Sequence, residues 1–181
     1  MERAPRVTSR GVLASPGRLA AVALILAGCT IEYAPPDEPR AQVSPDADTT
    51  LILAELRGYY RDLSDRNWVL FADHFWAGAT ITTIWQPPGT DAPEVTATTV
   101  PQFIAAAPDG PGSKEIFEES MLDAGVRRTG GLAQVWVRYR ARFGDRDHVR
   151  EWEGVDAFTL MQHEGRWRIV SLAFQSDGGG P

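Results

Sequence analysis

The chain has 181 residues and a formal charge of −6, and its 43% hydrophobic and 23% charged residues match a soluble globular protein with one sizeable core. The acidic balance argues against a nucleic-acid partner and against electrostatic adhesion to anionic lipid. A single cysteine excludes an internal disulfide, and three scattered histidines without a thiol cluster give no transition-metal site and no call for a cofactor.

Residues 1–28 read as a leader and not as fold. Arg3, Arg6, Arg10 and Arg18 precede the apolar run from Leu19 to Gly28, which is too short to span a bilayer and fits a signal peptide. The run ends in Leu26-Ala27-Gly28-Cys29, which resembles a bacterial lipobox, where a peptidase cuts before a cysteine that becomes acylated. Lipidation gives Cys29 a use and makes the membrane a partner through acyl chains. Thr30 follows, and resemblance to Gram-negative lipoproteins then implies sorting to the outer membrane, with the domain facing the periplasm. Loss of the leader removes four arginines and Glu2, which leaves 14 basic and 23 acidic side chains, or −9.

Residues 29–47 carry four prolines and little apolar periodicity, the pattern of an extended tether. The folded domain is expected over residues 48–177, with a Gly-rich tail at 178–181. Asp48 is the expected cap of a first helix over about residues 49–63, where Ile52, Leu56, Tyr59, Tyr60 and Leu63 recur at helical spacing. A second helix follows Ser64-Asp65, with Trp68, Phe71, Ala72 and Phe75 on one face, and stops by Gly78. Residues 79–86 read as a strand ended by Pro87-Pro88-Gly89. A short strand at 94–99 and a short helix at 100–107 capped by Thr99 come next. Four long strands follow at 114–126, 132–143, 149–162 and 166–175, with turns at Gly130-Gly131, Gly144 to Asp147 and Glu164-Gly165. Helices first and a meander afterwards predict an α+β fold, with three helices packed on one face of a strongly bent, mostly antiparallel sheet.

Hairpin registers assign the faces. A two-residue turn at Glu164-Gly165 pairs Leu160 with Ile169, Phe158 with Ser171 and Asp156 with Ala173. Charge complementarity pairs Arg142 with Glu151 and Arg140 with Glu153, and a further pairing brings Glu119 beside Arg140. The stripe Arg138, Arg140, Arg142 is then an ion ladder with Glu119, Glu151 and Glu153 on the face away from the helices. A slip of one residue would instead make Glu118 a second inward carboxylate. The opposite face holds Val135, Val137, Tyr139, Phe158, Leu160, Ile169 and Ser171, and among them Asp156. An inward carboxylate needs hydrogen-bond donors or a raised pKa, so Asp156 is either an anchor between sheet and helices or a pocket acid.

The paired helix tyrosines, the passage "FADHFWAGATITTIW" and the closing "GLAQVWVRYRARF … GVDAFTLMQHEGRWRIVSLAF" resemble the NTF2-like (SnoaL-like) superfamily, nearest its lumazine-binding and uncharacterised branch. The resemblance covers about residues 49–176. It implies a cone-shaped domain whose bent sheet and three helices enclose a pocket, often dimeric through the sheet. Isomerase members use a helix tyrosine and a strand aspartic acid against an oxyanion, with a first-strand carboxylate as base. Tyr59 or Tyr60 and Asp156 stand for the first two. The base has no counterpart, because the matching strand reads Ala79-Thr80-Ile81-Thr82-Thr83. Dehydratase members use a His–Asp pair, but adjacent Asp73 and His74 point apart on a helix end.

The reading that follows is a lipid-anchored envelope domain that binds a small apolar or aromatic ligand without catalysis. Tyr59, Tyr60, Trp85, Tyr139, Asp156, Phe158 and Ser171 are its pocket candidates. The alternatives are an isomerase, dehydratase or cyclase using Asp156 with Tyr59 or Tyr60, or an interaction module that forms a homodimer through the ladder face.

Overall fold

A computed structural model describes residues 46–85 and 91–177, although the side chain of Trp85 is outside that description. The leader, Cys29 and the tether fall outside it. The elements are α1 (Ala47–Ser64), α2 (Trp68–Asp73), β1 (Phe75–Trp85), β2 (Glu94–Thr99), α3 (Val100–Ala106), β3 (Ile116–Thr129), β4 (Leu132–Asp145), β5 (His148–His163) and β6 (Arg166–Ser176). The sheet runs β2-β1-β6-β5-β4-β3, with β1 and β6 parallel and every other pair antiparallel. This is the expected α+β architecture of helices on a curled, unclosed sheet. Among the described residues no helix is long and apolar enough to cross a membrane.

The α1 cap lies two residues before the expected one. Asp46, not Asp48, accepts the Thr49 amide at 2.7 Å and also pairs with Arg128 at 2.6 Å. Asp48 sits in the first turn, where its charge favours the helix dipole. The stripe of Ile52, Leu56, Tyr59, Tyr60 and Leu63 is buried as its spacing predicts. α2 is shorter than expected. It ends at Asp73, and Phe75 opens β1 as a core residue of the sheet.

Two one-residue insertions correct the expected faces. Next to the Gly130-Gly131 turn, Thr129 pairs with Leu132, and that register continues to Asp123 and Arg138. The ladder then shifts at Leu122, so that Met121 pairs with Tyr139, Glu119 with Ala141 and Glu118 with Arg142. Without the shift Glu119 would face Arg142 on the outer side. With it, Glu119 turns inward and leaves the ladder. The second shift is in β6. Leu160 pairs with Ile169 as expected, but Thr159 pairs with Ser171, Phe158 with Leu172 and Asp156 with Phe174. Val170 is the extra residue, so Leu172 and Phe174 take the inward places expected for Ser171 and Ala173. β1 bulges at the same level, because Phe75 pairs with Ile169 and Thr80 with Ser171. Gly78 in left-handed backbone (φ 82°) permits that excursion, and Trp76 ends up beside His163 and Arg168.

The β4–β5 register is the one charge complementarity predicts, with Arg142 opposite Glu151 and Arg140 opposite Glu153. Arg140 contacts Glu153 at 3.1 Å and Arg142 contacts Glu118 at 2.6 Å, in exposed pairs each worth only about 0–1 kcal/mol. Stability comes from the other face. Tyr59 is the hub, with ring centroids of Tyr60, Phe71, Phe75 and Phe158 within 5.1–5.9 Å. Trp68 and Phe103 extend this cluster under α2 and α3. Phe71 is fully buried, whereas its neighbour Val69 is exposed. Phe71→Ala is therefore expected to cost about 3–5 kcal/mol in urea unfolding. Val69→Ala should stay within about 0.5 kcal/mol, and equal losses would contradict this packing of α2.

Candidate functional site

Asp156 is in the middle of β5, between Val137 and Phe174, and only 3% exposed. Alternation places it inside, where a bare carboxylate is costly. Tyr60, buried on α1, donates its hydroxyl to Asp156 Oδ2. Desolvation pushes the Asp156 pKa up, and the Tyr60 hydrogen bond pulls in the opposite direction.

Glu119 is the second interior acid. Its backbone is fixed to the end of α1 by Ser64, whose Oγ accepts the Glu119 amide at 2.8 Å and donates to its carbonyl at 3.0 Å. That clasp also occupies polar groups of β3, the sheet edge. The residue as a whole is half-buried. Its carboxyl is pushed up by desolvation and then by the charge of Asp156. Two like acids in one dry site hold fewer than two charges near neutrality.

Tyr139 completes the group. It lies across the sheet from Gly154, where a Cβ would be 2.5 Å from the Tyr139 hydroxyl, so only glycine leaves room for the phenol. Trp152 hydrogen-bonds that hydroxyl, and burial, then Glu119, then Asp156 raise its pKa. The hydroxyls of Tyr59 and Tyr60 are raised mainly by desolvation and next by Asp156. All three phenols thus stay protonated as hydrogen-bond donors. The charged side chains buried among the described residues are Asp62 and Asp156, so no cation offsets the acids within the core. The arrangement can keep a carboxyl protonated near neutrality and offer hydrogen-bond donors to a ligand oxygen.

The structure thus brings Tyr59, Tyr60, Tyr139 and Asp156 together, with Phe158 packed against both helix tyrosines. Ser171 is not among them, because the Val170 bulge turns it outward. Glu119 belongs to the group and was expected on the ladder. Its alternation with buried Phe117 and half-buried Met121 is the signal that marks it as inward. Asp73 binds Arg166 at 2.9 Å and Arg168 at 2.7 Å, not His74. His74 instead contacts Glu55 and Asp62, which share the buried side of α1. Among the described residues no group of three or more His, Cys, Asp or Glu is placed to hold a metal ion.

No family model and no curated protein matches the chain. Solved structures do. An NTF2-like protein of unknown function from Shewanella baltica is 15% identical with a TM-score of 0.54, over 76% of this chain and 99% of that one. An NTF2-like superfamily protein from Salmonella enterica serovar Typhimurium is 13% identical with a TM-score of 0.57, over 75% and 96%. The beta subunit of the benzoate 1,2-dioxygenase from Burkholderia mallei is 13% identical with a TM-score of 0.56, over 75% and 93%. The domain therefore has the NTF2-like fold. Identity this low speaks for the fold alone.

The two interior acids also set a pH dependence. Both folded-state pKa values are raised, so the stability tied to their protonated forms is full below the ordinary carboxylate range and lost as pH rises through the raised values. The urea midpoint should fall between about pH 4 and pH 8, and Glu119→Gln or Asp156→Asn should flatten that fall. An unchanged slope in both variants would show that these acids are not desolvated.

Proposed function

We propose that the chain is an envelope lipoprotein, anchored through acylated Cys29, whose NTF2-like domain binds a small apolar or aromatic molecule against Tyr60, Asp156 and Glu119. The observation that carries this reading is the pair of inward carboxyls with, among the described residues, no buried cation to offset them. Such a pair costs stability and is not needed to close the core, which marks it as a site for something else. Trp68, Phe71, Phe75 and Phe103 fill the interior under α2 and α3, while Glu119, Met121, Trp152 and Phe174 around the acids are half-buried.

Glu119 also favours a second reading, an isomerase, dehydratase or cyclase. It supplies an interior carboxyl that β1 lacks, in the same interior as the Tyr60–Asp156 hydrogen bond. A homodimer through the sheet is compatible with either reading. Trp136 is 63% exposed on the outer face, between Gly125 and Ala157 of the neighbouring strands.

Native mass spectrometry of the full chain, extracted in mild detergent from its own host, tests the proposal. The expected spectrum shows an acylated chain plus a mass excess that denaturation removes. Asp156→Asn should keep the fold and lose that excess, while Glu119→Gln should keep the ligand if the site turns it over. An acylated chain of clean mass in wild type and both variants would count against ligand binding.

A further inference from the structure

His74 closes α2, one residue before β1, and its ring reaches back to α1. Nδ1 lies 2.8 Å from Glu55 Oε1, and Nε2 lies 2.9 Å from Asp62 Oδ2. A neutral imidazole carries one N–H, and an ionised carboxylate has no proton to give, so both contacts are hydrogen bonds only when the ring carries both protons. Asp62 is ionised here. Burial opposes its charge, but hydrogen bonds from Arg61 (3.0 and 3.1 Å) and His74 outweigh that and hold its carboxyl below the usual range. The ring is 12% exposed in its side chain, and Gly58 makes its berth, since a Cβ there would lie 2.9 Å from His74 Cε1.

The position matters as much as the charge. Glu55 and Asp62 bracket Tyr59 and Tyr60 on α1, and Tyr59 meets the imidazole edge-on at 6.4 Å. On the other side, the His74 carbonyl accepts the Ile169 amide of β6 at 2.8 Å. The imidazole therefore ties the helix turn that carries Tyr60 to the sheet that carries Asp156. We propose that His74 is a proton-dependent latch, a positioning residue whose cationic ring holds the Tyr59–Tyr60 turn of α1 against Asp156. The latch does not depend on what the site binds.

The charged and titratable groups around it agree in sign. α1 contributes Glu55, Tyr59, Arg61 and Asp62. α2 contributes Asp73, which is neutralised by Arg166 and Arg168 of β6. Burial alone would lower the proton affinity of His74. The hydrogen bonds to Glu55 and Asp62 outweigh it, so the net shift is upward. The contribution is therefore full below the ordinary histidine range and lost as pH rises through the raised value. After deprotonation one of the two carboxylates, Glu55 or Asp62, faces a ring lone pair.

The test is a ring-nitrogen NMR titration of the full chain, with exposed His148 and His163 as references inside the same molecule. At pH 7 both nitrogens of His74 should be protonated, and the Tyr60 hydroxyl signal should move along the His74 curve. A parallel measurement compares unfolding midpoints of wild type and His74→Gln. The gap should be largest below the ordinary histidine range and close as pH rises through the raised His74 titration. A neutral His74 tautomer at pH 6, a Tyr60 signal indifferent to the His74 titration, or a midpoint gap constant with pH would each overturn the latch. If His74→Gln fails to fold, the titration of the unmodified chain still decides.

Discussion

Side chains along a strand alternate between two faces, so one extra residue exchanges the faces of everything beyond it, and this constraint makes the interior of the protein. Leu122 in β3 and Val170 in β6 are those residues. The first turns Glu119 from an ion ladder into the core. The second puts Leu172 and Phe174 inside, with Phe174 beside Asp156, and turns Ser171 out. Remove either shift and the carboxyl pair, or the apolar wall around it, disappears from the interior.

The consequences are electrostatic. On the outer face Arg138, Arg140 and Arg142 meet Glu118, Glu151 and Glu153 in water, where ion pairs are cheap to make and cheap to lose. On the inner face two carboxyls share a dry space with three phenols. Tyr60 meets part of that cost, and rigid attachment of α1 meets more. Asp46 and Asp48 pair with Arg128 at one end of the helix, and Ser64 clasps Glu119 at the other. His74 holds the middle through Glu55 and Asp62. A helix so attached keeps the Tyr60 hydroxyl on Asp156, which is the arrangement a ligand would meet.

Much of this was legible in the residues and some was not, for identifiable reasons. The α+β order, the Thr99 cap with its box to Gln102, the three turns and the β4–β5 register follow from spacing, turn chemistry and opposite charges. Inward Asp156 followed too, since it precedes the Phe158 and Leu160 alternation. The α1 start was misplaced because Asp46 and Asp48 are both good caps, and only Asp46 has the extended backbone a cap needs. The end of α2 was misplaced because Phe75 keeps helical spacing with Phe71 and yet serves equally well as the first inward residue of a strand. The bulges left no mark. Leu122 and Val170 are ordinary strand residues, neither glycine nor proline, and the cause of each insertion is the pairing of distant strands. Glu119 was hidden by that same insertion. The partners of His74 were hidden because a helix-end histidine reaches α1 only through tertiary packing.

The most direct test of the account is a carboxyl-carbon NMR titration of Glu119 and Asp156 in the full chain. Two coupled steps are expected, both above the ordinary carboxylate range, and Glu119→Gln should reduce them to a single step at Asp156. Two independent titrations near about pH 4, as in solvated acids, would contradict it, because the two carboxyls would then not share a desolvated interior.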